Sequence, residues 1–199
     1  MIIDFHTHMF PDKIAGRTLD YLSGIFGASP FADGTYTGLC NSMGKGAVDI
    51  SIALPAVTKV SQVASINRFA SAYTEGPVIS FGGIHPECEN YKEILKEIKN
   101  LGLKGIKLHP DYQDMYFDNI RYERIIDAAS ELGLITVVHA GVDPKCLEDV
   151  HCTPKMARKV LDDVKRRNWC LHIWAAMKCG MMWNGIWWDR TYILIQESY

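Results

Sequence analysis

With 199 residues, 48% of them hydrophobic and 22% charged, the chain has the composition of one globular domain with a sizeable core, which excludes disordered and membrane-embedded classes. A formal net charge of −2, with no basic stretch longer than Lys165-Arg166-Arg167, leaves no electrostatic footprint for nucleic acid or an anionic membrane. A small molecule is therefore the expected partner, with neither nucleic acid nor membrane, and self-association into a homo-oligomer stays open.

The elements alternate from the start. Met1 to Phe5 is a short apolar run ending in a polar tip, and no basic, apolar and small-residue export signal accompanies it, so the chain is expected in the cytoplasm. Residues 9 to 45, rich in Gly and polar side chains, are expected to form a long loop with one helix, placed as a lid. Strands follow at Asp49 to Leu54 and Val78 to Ile84, each closed by proline. Tyr91 to Leu101 sets Ile94, Leu95, Ile98 and Leu101 on one helical face and stops at Gly102. Leu103 to Leu108 and Leu134 to Val138 are strands, separated by a helix from Asn119, its N-cap, to Leu132, with Gly133 as its stop. Thr153-Pro154 opens a helix to about Val164, the proline at a position whose N–H is unneeded. The six cysteines, Cys40, Cys88, Cys146, Cys152, Cys170 and Cys179, show no zinc-type spacing and read as free thiols.

Strands alternating with helices imply a parallel sheet covered by helices, and polar clusters at the strand C-termini fit a TIM (β/α)8 barrel, whose βα loops carry the chemistry. A doubly wound open sheet is the other architecture, but no GxGxxG or GxxxxGK follows the first strand.

Histidines crowd these strand ends. In Asp4-Phe5-His6-Thr7-His8, strict alternation puts Asp4, His6 and His8 on one face and Phe5 and Thr7 on the other. Two imidazoles at one strand tip suit zinc, iron or nickel better than magnesium. Gly83-Ile84-His85-Pro86, Lys107-Leu108-His109-Pro110 and Val138-His139-Ala140 close the later strands in the same manner. Taken together, the DFHTH, GIHP, KLHP and VVHAG segments make residues 1 to about 168 resemble the amidohydrolase superfamily, in the amidohydrolase-related branch of TatD-like hydrolases, decarboxylases and hydratases.

That resemblance implies a barrel of the metal-dependent hydrolase type. It makes His6, His8 and His139 the metal ligands, with a divalent metal, zinc first, that lowers the pKa of bound water from about 15.7 towards about 7. His85 and His109 are candidates for metal or substrate contact, or caps that bond loop carbonyls. Lys107 is compared with the carboxylated fourth-strand lysine of binuclear members, or is a packing lysine. Asp111 and Gln113 line the pocket or cap the loop, and His151 has no assigned role. The implied activity is hydrolysis of a small amide, ester or cyclic carbonyl substrate. The alternatives are decarboxylation or hydration, phosphoester cleavage, and an inactive truncated fragment. The family's sixth-strand histidine and eighth-strand aspartate cannot be assigned, so no catalytic residue is named.

The last stretch departs from all this. All five tryptophans fall within residues 169–199, which lack a clean period of either kind. Trp and Met have single codons, so a shifted reading is partly forced: Asn168/Trp169 gives Leu, Trp169/Cys170 Val, Trp174/Ala175 Gly, Met177/Lys178 Glu and Trp187/Trp188 Val. With permitted choices elsewhere the shifted frame reads LVLAHMGGNEMWDDVEWYLVGQDVYLDT, a strand ending in AHMGG, a helix and a strand ending in LDT. The expectation is thus a frameshift between about Val164 and Asn168, about five βα units in residues 1–168, and an out-of-frame tail at 169–199 in which His172 has no catalytic role.

Overall fold

The computed structural model describes residues 1–164 and the backbone of a strand at Trp169–Ile173. In chain order the elements are β1 (Ile3–Thr7), α1 (Asp12–Phe26), α2 (Tyr36–Gly46), β2 (Ile50–Ala53), a 3-10 turn (Val60–Gln62), α3 (Val63–Ala70), β3 (Val78–Ser80), β4 (Gly82–Gly83), α4 (Tyr91–Asn100), β5 (Gly105–Leu108), α5 (Pro110–Gln113), α6 (Ile120–Glu131), β6 (Ile135–Ala140), α7 (Pro154–Val164) and β7 (Trp169–Ile173).

Every strand pairing is parallel, in the orders β1-β2-β3 and β4-β5-β6-β7. β3 and β4 are one stave interrupted at Phe81: its first half bonds to β2 and its second to β5. The strands therefore lie side by side in chain order, with helices in the connections. This is the arrangement of a partial (β/α) barrel, and the described residues form no closed one. No described helix is long and apolar enough to cross a membrane.

The stave breaks for a packing reason. The Phe81 ring turns into an interior cluster with Ile52, Leu54 and Val137, and meets Phe5 edge-on at a centroid distance of 5.9 Å. Next to it, Gly83 is held by the buried Asn67 of α3, which takes the Gly83 N–H at 2.8 Å and donates to its carbonyl at 3.0 Å, as a neighbouring strand would. Gly105 must be glycine because a Cβ there would collide with the Ile135 carbonyl and the Phe81 ring. The larger apolar cluster lies between strands and helices, built on Ile84, Leu95, Ile98, Ile106, Leu108, Tyr122, Ile126 and Val160.

Helix punctuation follows the residue chemistry. The Asn119 side chain accepts from Arg121 N at 3.0 Å, and Thr153 Oγ1 from Met156 N at 3.3 Å. Gly102 and Gly133 end α4 and α6 at φ +83° and +69°.

Four expectations change. Residues 9 to 45 hold two helices, because Thr35 caps a second one by accepting from Gly38 N at 3.0 Å. α3 has no counterpart in the sequence reading. Strict alternation fails in β1: between Asp4 and Thr7 the register against β2 slips by one residue, a bulge that brings Phe5 into the interior cluster. Finally, Trp169–Ile173, part of the aperiodic tail, pairs along β6 with His172 opposite His139. The unpaired edge of β6 offers backbone partners, and Trp, Cys and Ile suit an extended strand. The remainder of the tail, 174–199, lies outside the described residues.

Candidate metal centre

The C-terminal ends of β1, β5 and β6 bring the site together. On β6 the alternation of Val137 and His139 sends both to the interior, Val137 into the apolar cluster and His139 one layer above it. His109 follows β5 as the residue before the one-turn α5, and its ring lies flat on that of His139, centroids 4.0 Å apart and planes 8° apart. Tyr112 covers the other face of His109 at 3.9 Å, with Lys145 Nζ 5.1 Å from the tyrosine ring centre.

The two imidazoles share one target. His139 Nε2 lies 3.7 Å and His109 Nε2 3.8 Å from Oδ2 of Asp143, whose side chain is buried. Those separations are too long for hydrogen bonds. They are close to the roughly 3.4 Å between two donors bound at about 2.1 Å to one tetrahedral ion. His109 Nδ1 is buried without a hydrogen-bond partner among the described residues.

His8 completes this face. Its Nδ1 lies 2.7 Å from the Leu54 carbonyl, so it carries the proton and donates, leaving Nε2 as the lone-pair nitrogen. The ring keeps solvent-accessible surface while protein surrounds it, as expected for a group on the wall of a concavity. Loss of solvation, then the Lys107 ammonium, lower its pKa to about 4 against the helping Leu54 bond. His6 packs edge-on against His8 at 4.8 Å. His109 is pushed well below the usual imidazole range by burial, then by His139, Lys107 and His8. Asp143 moves the other way, raised by burial and by Asp111 against the Lys145 N–H and charge.

Of the residues singled out from sequence, His109 and His139 sit in one cluster, His8 and Lys107 are near enough to act on His109, and His6 touches His8. Lys107 is 1% exposed on β5, among these imidazoles. His85 stands apart as a cap: its Nδ1 accepts from Glu87 N at 3.3 Å. Gln113 is a brace, donating to the Val57 and Ile84 carbonyls at 3.0 and 2.8 Å and accepting from His109 N and Tyr122 Oη at 3.1 and 2.9 Å. Asp111 pairs with His151, Nδ1 to Oδ1 3.2 Å.

Asp143 was missed. The available signal was the spacing His139-Ala-Gly-Val-Asp143 just past a strand end, which brings a carboxylate back over the ring.

This donor set fits a divalent cation. The His8 and His109 imidazoles are held neutral by their surroundings, the carboxylate stands between two ring nitrogens, and nitrogen with oxygen donors suits zinc or manganese.

Known proteins give the frame for this geometry. The sequence model of the family described as Amidohydrolase matches residues 3–190. No match was found among the curated proteins. Among solved structures, the chain is similar to the apo IDCase of Metarhizium anisopliae, with TM-score 0.58 and 15% identity over 87% of this chain and 64% of that one. A 5-carboxyvanillate decarboxylase from Novosphingobium aromaticivorans, complexed with manganese and 4-hydroxy-3-methoxy-5-nitrobenzoic acid, gives 0.63 and 15% over 87% and 64%. A probable 2-pyrone-4,6-dicarboxylic acid hydrolase from Acinetobacter baumannii, with citric acid bound, gives 0.51 and 13% over 86% and 57%. The chain thus spans less than two thirds of the length of each of these. A family match across nearly the whole sequence, on parallel staves that end in clustered imidazoles, makes the chain a member of the amidohydrolase family.

Proposed function

We propose that the chain carries the metal-binding half of a cytoplasmic, metal-dependent hydrolase acting on a small amide, ester or cyclic carbonyl substrate. The observation that carries this reading is the convergence of His109, His139 and Asp143. His8, His139, His109 and Asp143 would hold a divalent metal, zinc first, with His6 beside them. Bound there, the metal supplies Lewis acidity toward a substrate oxygen.

The protein groups do the rest. His8 fixes its ring on the Leu54 carbonyl and His109 is clamped between Tyr112 and His139, so neither must reorganise when substrate enters. Asp143 has its affinity for a proton raised by burial, which suits its carboxylate to accept one from an attacking water. Lys107 puts a buried cation beside these groups, a charge suited to a substrate carboxylate or a developing oxyanion.

Decarboxylation is the second reading. It is favoured by the same buried Lys107 and by the fold's likeness to 5-carboxyvanillate decarboxylase. A substrate panel of small lactones, pyrone dicarboxylates and hydroxybenzoates separates the two. Metal-dependent ring opening or acyl cleavage supports hydrolysis, and metal-dependent CO2 release supports decarboxylation. Failure of the chain and of its in-frame form to bind a divalent metal would sink both.

A further inference from the structure

A second group of metal-ligating side chains lies outside the site just described. Asp111, Cys146 and His151 each bring one donor atom to within 4.8 Å of the others. Asp111 follows β5 in α5, and the other two come from the loop 141–153 that follows β6. Asp111 Oδ1 receives His151 N and faces its Nδ1, both at 3.2 Å, which uses one carboxylate oxygen. The other oxygen, Oδ2, is buried with no hydrogen-bond partner among the described residues, on a side chain only 3% exposed. A buried carboxylate oxygen left alone is costly, so its persistence asks for a cation.

The surroundings are built to hold the cluster still. His151 is roofed by the Tyr116 ring at 4.9 Å, whose hydroxyl donates to Asp149 at 2.9 Å. Cys146 Sγ contacts the Asp111 carbonyl at 3.9 Å. Asp114 approaches the imidazole from its other side, Oδ1 3.7 Å from Nε2, and offers a further oxygen. A simple His–Asp pair would need no thiol; a thiolate, an imidazole and a carboxylate together select zinc over magnesium or calcium.

The geometry points to a second, structural zinc site formed by Asp111, Cys146 and His151. It ties the loop 141–153 to the segment after β5. The same two stretches carry Asp143 and His109 into the first site, so an ion in the second would set the spacing of groups in the first. Its binding step releases the Cys146 proton to solvent and forms a metal–sulfur bond, with no change of oxidation state. The site requires nothing of the first one, which has no sulfur donor.

Sulfur is what makes the test decisive. The 199-residue protein, stripped of metal and titrated with Co2+, should show a near-ultraviolet sulfur-to-cobalt charge-transfer band, and Cys146→Ser should abolish it while ligand-field bands from nitrogen and oxygen donors remain. In the unaltered protein, zinc at about 100 times its dissociation constant should slow maleimide labelling of Cys146 about 100-fold, with Cys40 as the internal control. A saturated protein without the band, a band that survives Cys146→Ser, or labelling of Cys146 unaffected by zinc would overturn the proposal.

Discussion

Asp143 places one carboxylate oxygen within 3.8 Å of two imidazole nitrogens, and its substitution tests the first site most directly. Asp143→Asn should weaken divalent-metal affinity by about 10- to 100-fold in a chelator competition, as loss of a supporting carboxylate does elsewhere. Affinity equal to the unaltered chain would remove Asp143 from the site. Proton competition gives a second prediction. Unfolded imidazoles protonate near 6.5, whereas His8 resists to about 4 and His109 is also held far below its ordinary value. Between those limits the unfolded chain binds more protons, so metal-free stability is complete above about 6.5 and falls as pH drops towards 4. A melting-temperature series should show this decline, with a shallower slope for His109→Asn; parallel slopes would contradict it. Histidines at strand ends were legible because chain direction alone decides which rim they reach. Asp143 was not, since an aspartate before Pro144 reads as turn chemistry until the loop is seen to fold back.

At the level of elements, the barrel staves and the glycine and asparagine punctuation could be read from period and end signals. The interruption at Phe81 and the slip in β1 could not, because each answers to a ring packed from another strand. Gly105→Ala should therefore cost about 1–3 kcal/mol, the usual cost of overpacking, read as a lower denaturation midpoint. Wild-type stability would show that the strand can move aside. Gln113 is the other sensitive joint. Gln113→Leu strands the Val57 and Ile84 carbonyls and the His109 N–H at once, and at about 1–3 kcal/mol for each unmet buried group it should destabilise by at least about 2 kcal/mol. It should also loosen metal binding, because His109 loses the bond that seats its backbone. A variant that keeps both stability and affinity would show that the brace is dispensable.

For the molecule as a whole, the described staves run from β1 to β7 without closing, and Ile2 and Ile3 at the β1 end are 56% and 46% exposed. Open strand edges and apolar surface of this kind favour association. Together with the forced codon readings, this gives the prediction that a base inserted near codon 166 yields a more soluble protein, with a chain of ordinary barrel length, about 250 residues or more. Coding DNA for Asn168 to Arg190 that fails to spell the LVLAHMGG-type peptide in the shifted frame would refute the frameshift. No period in the tail announced the strand that pairs with β6. The spread of donors along the chain also sets a timetable for synthesis. His6 and His8 leave the ribosome first, whereas Asp143 emerges about 135 residues after His8, a delay of roughly 7 to 27 s at about 5–20 residues per second. Until then the nascent chain carries the site's imidazoles, His6, His8, His109 and His139, without the Asp143 carboxylate that faces two of them. An ion held jointly by His8, His109, His139 and Asp143 would therefore find its full set of donors only once synthesis has passed residue 143.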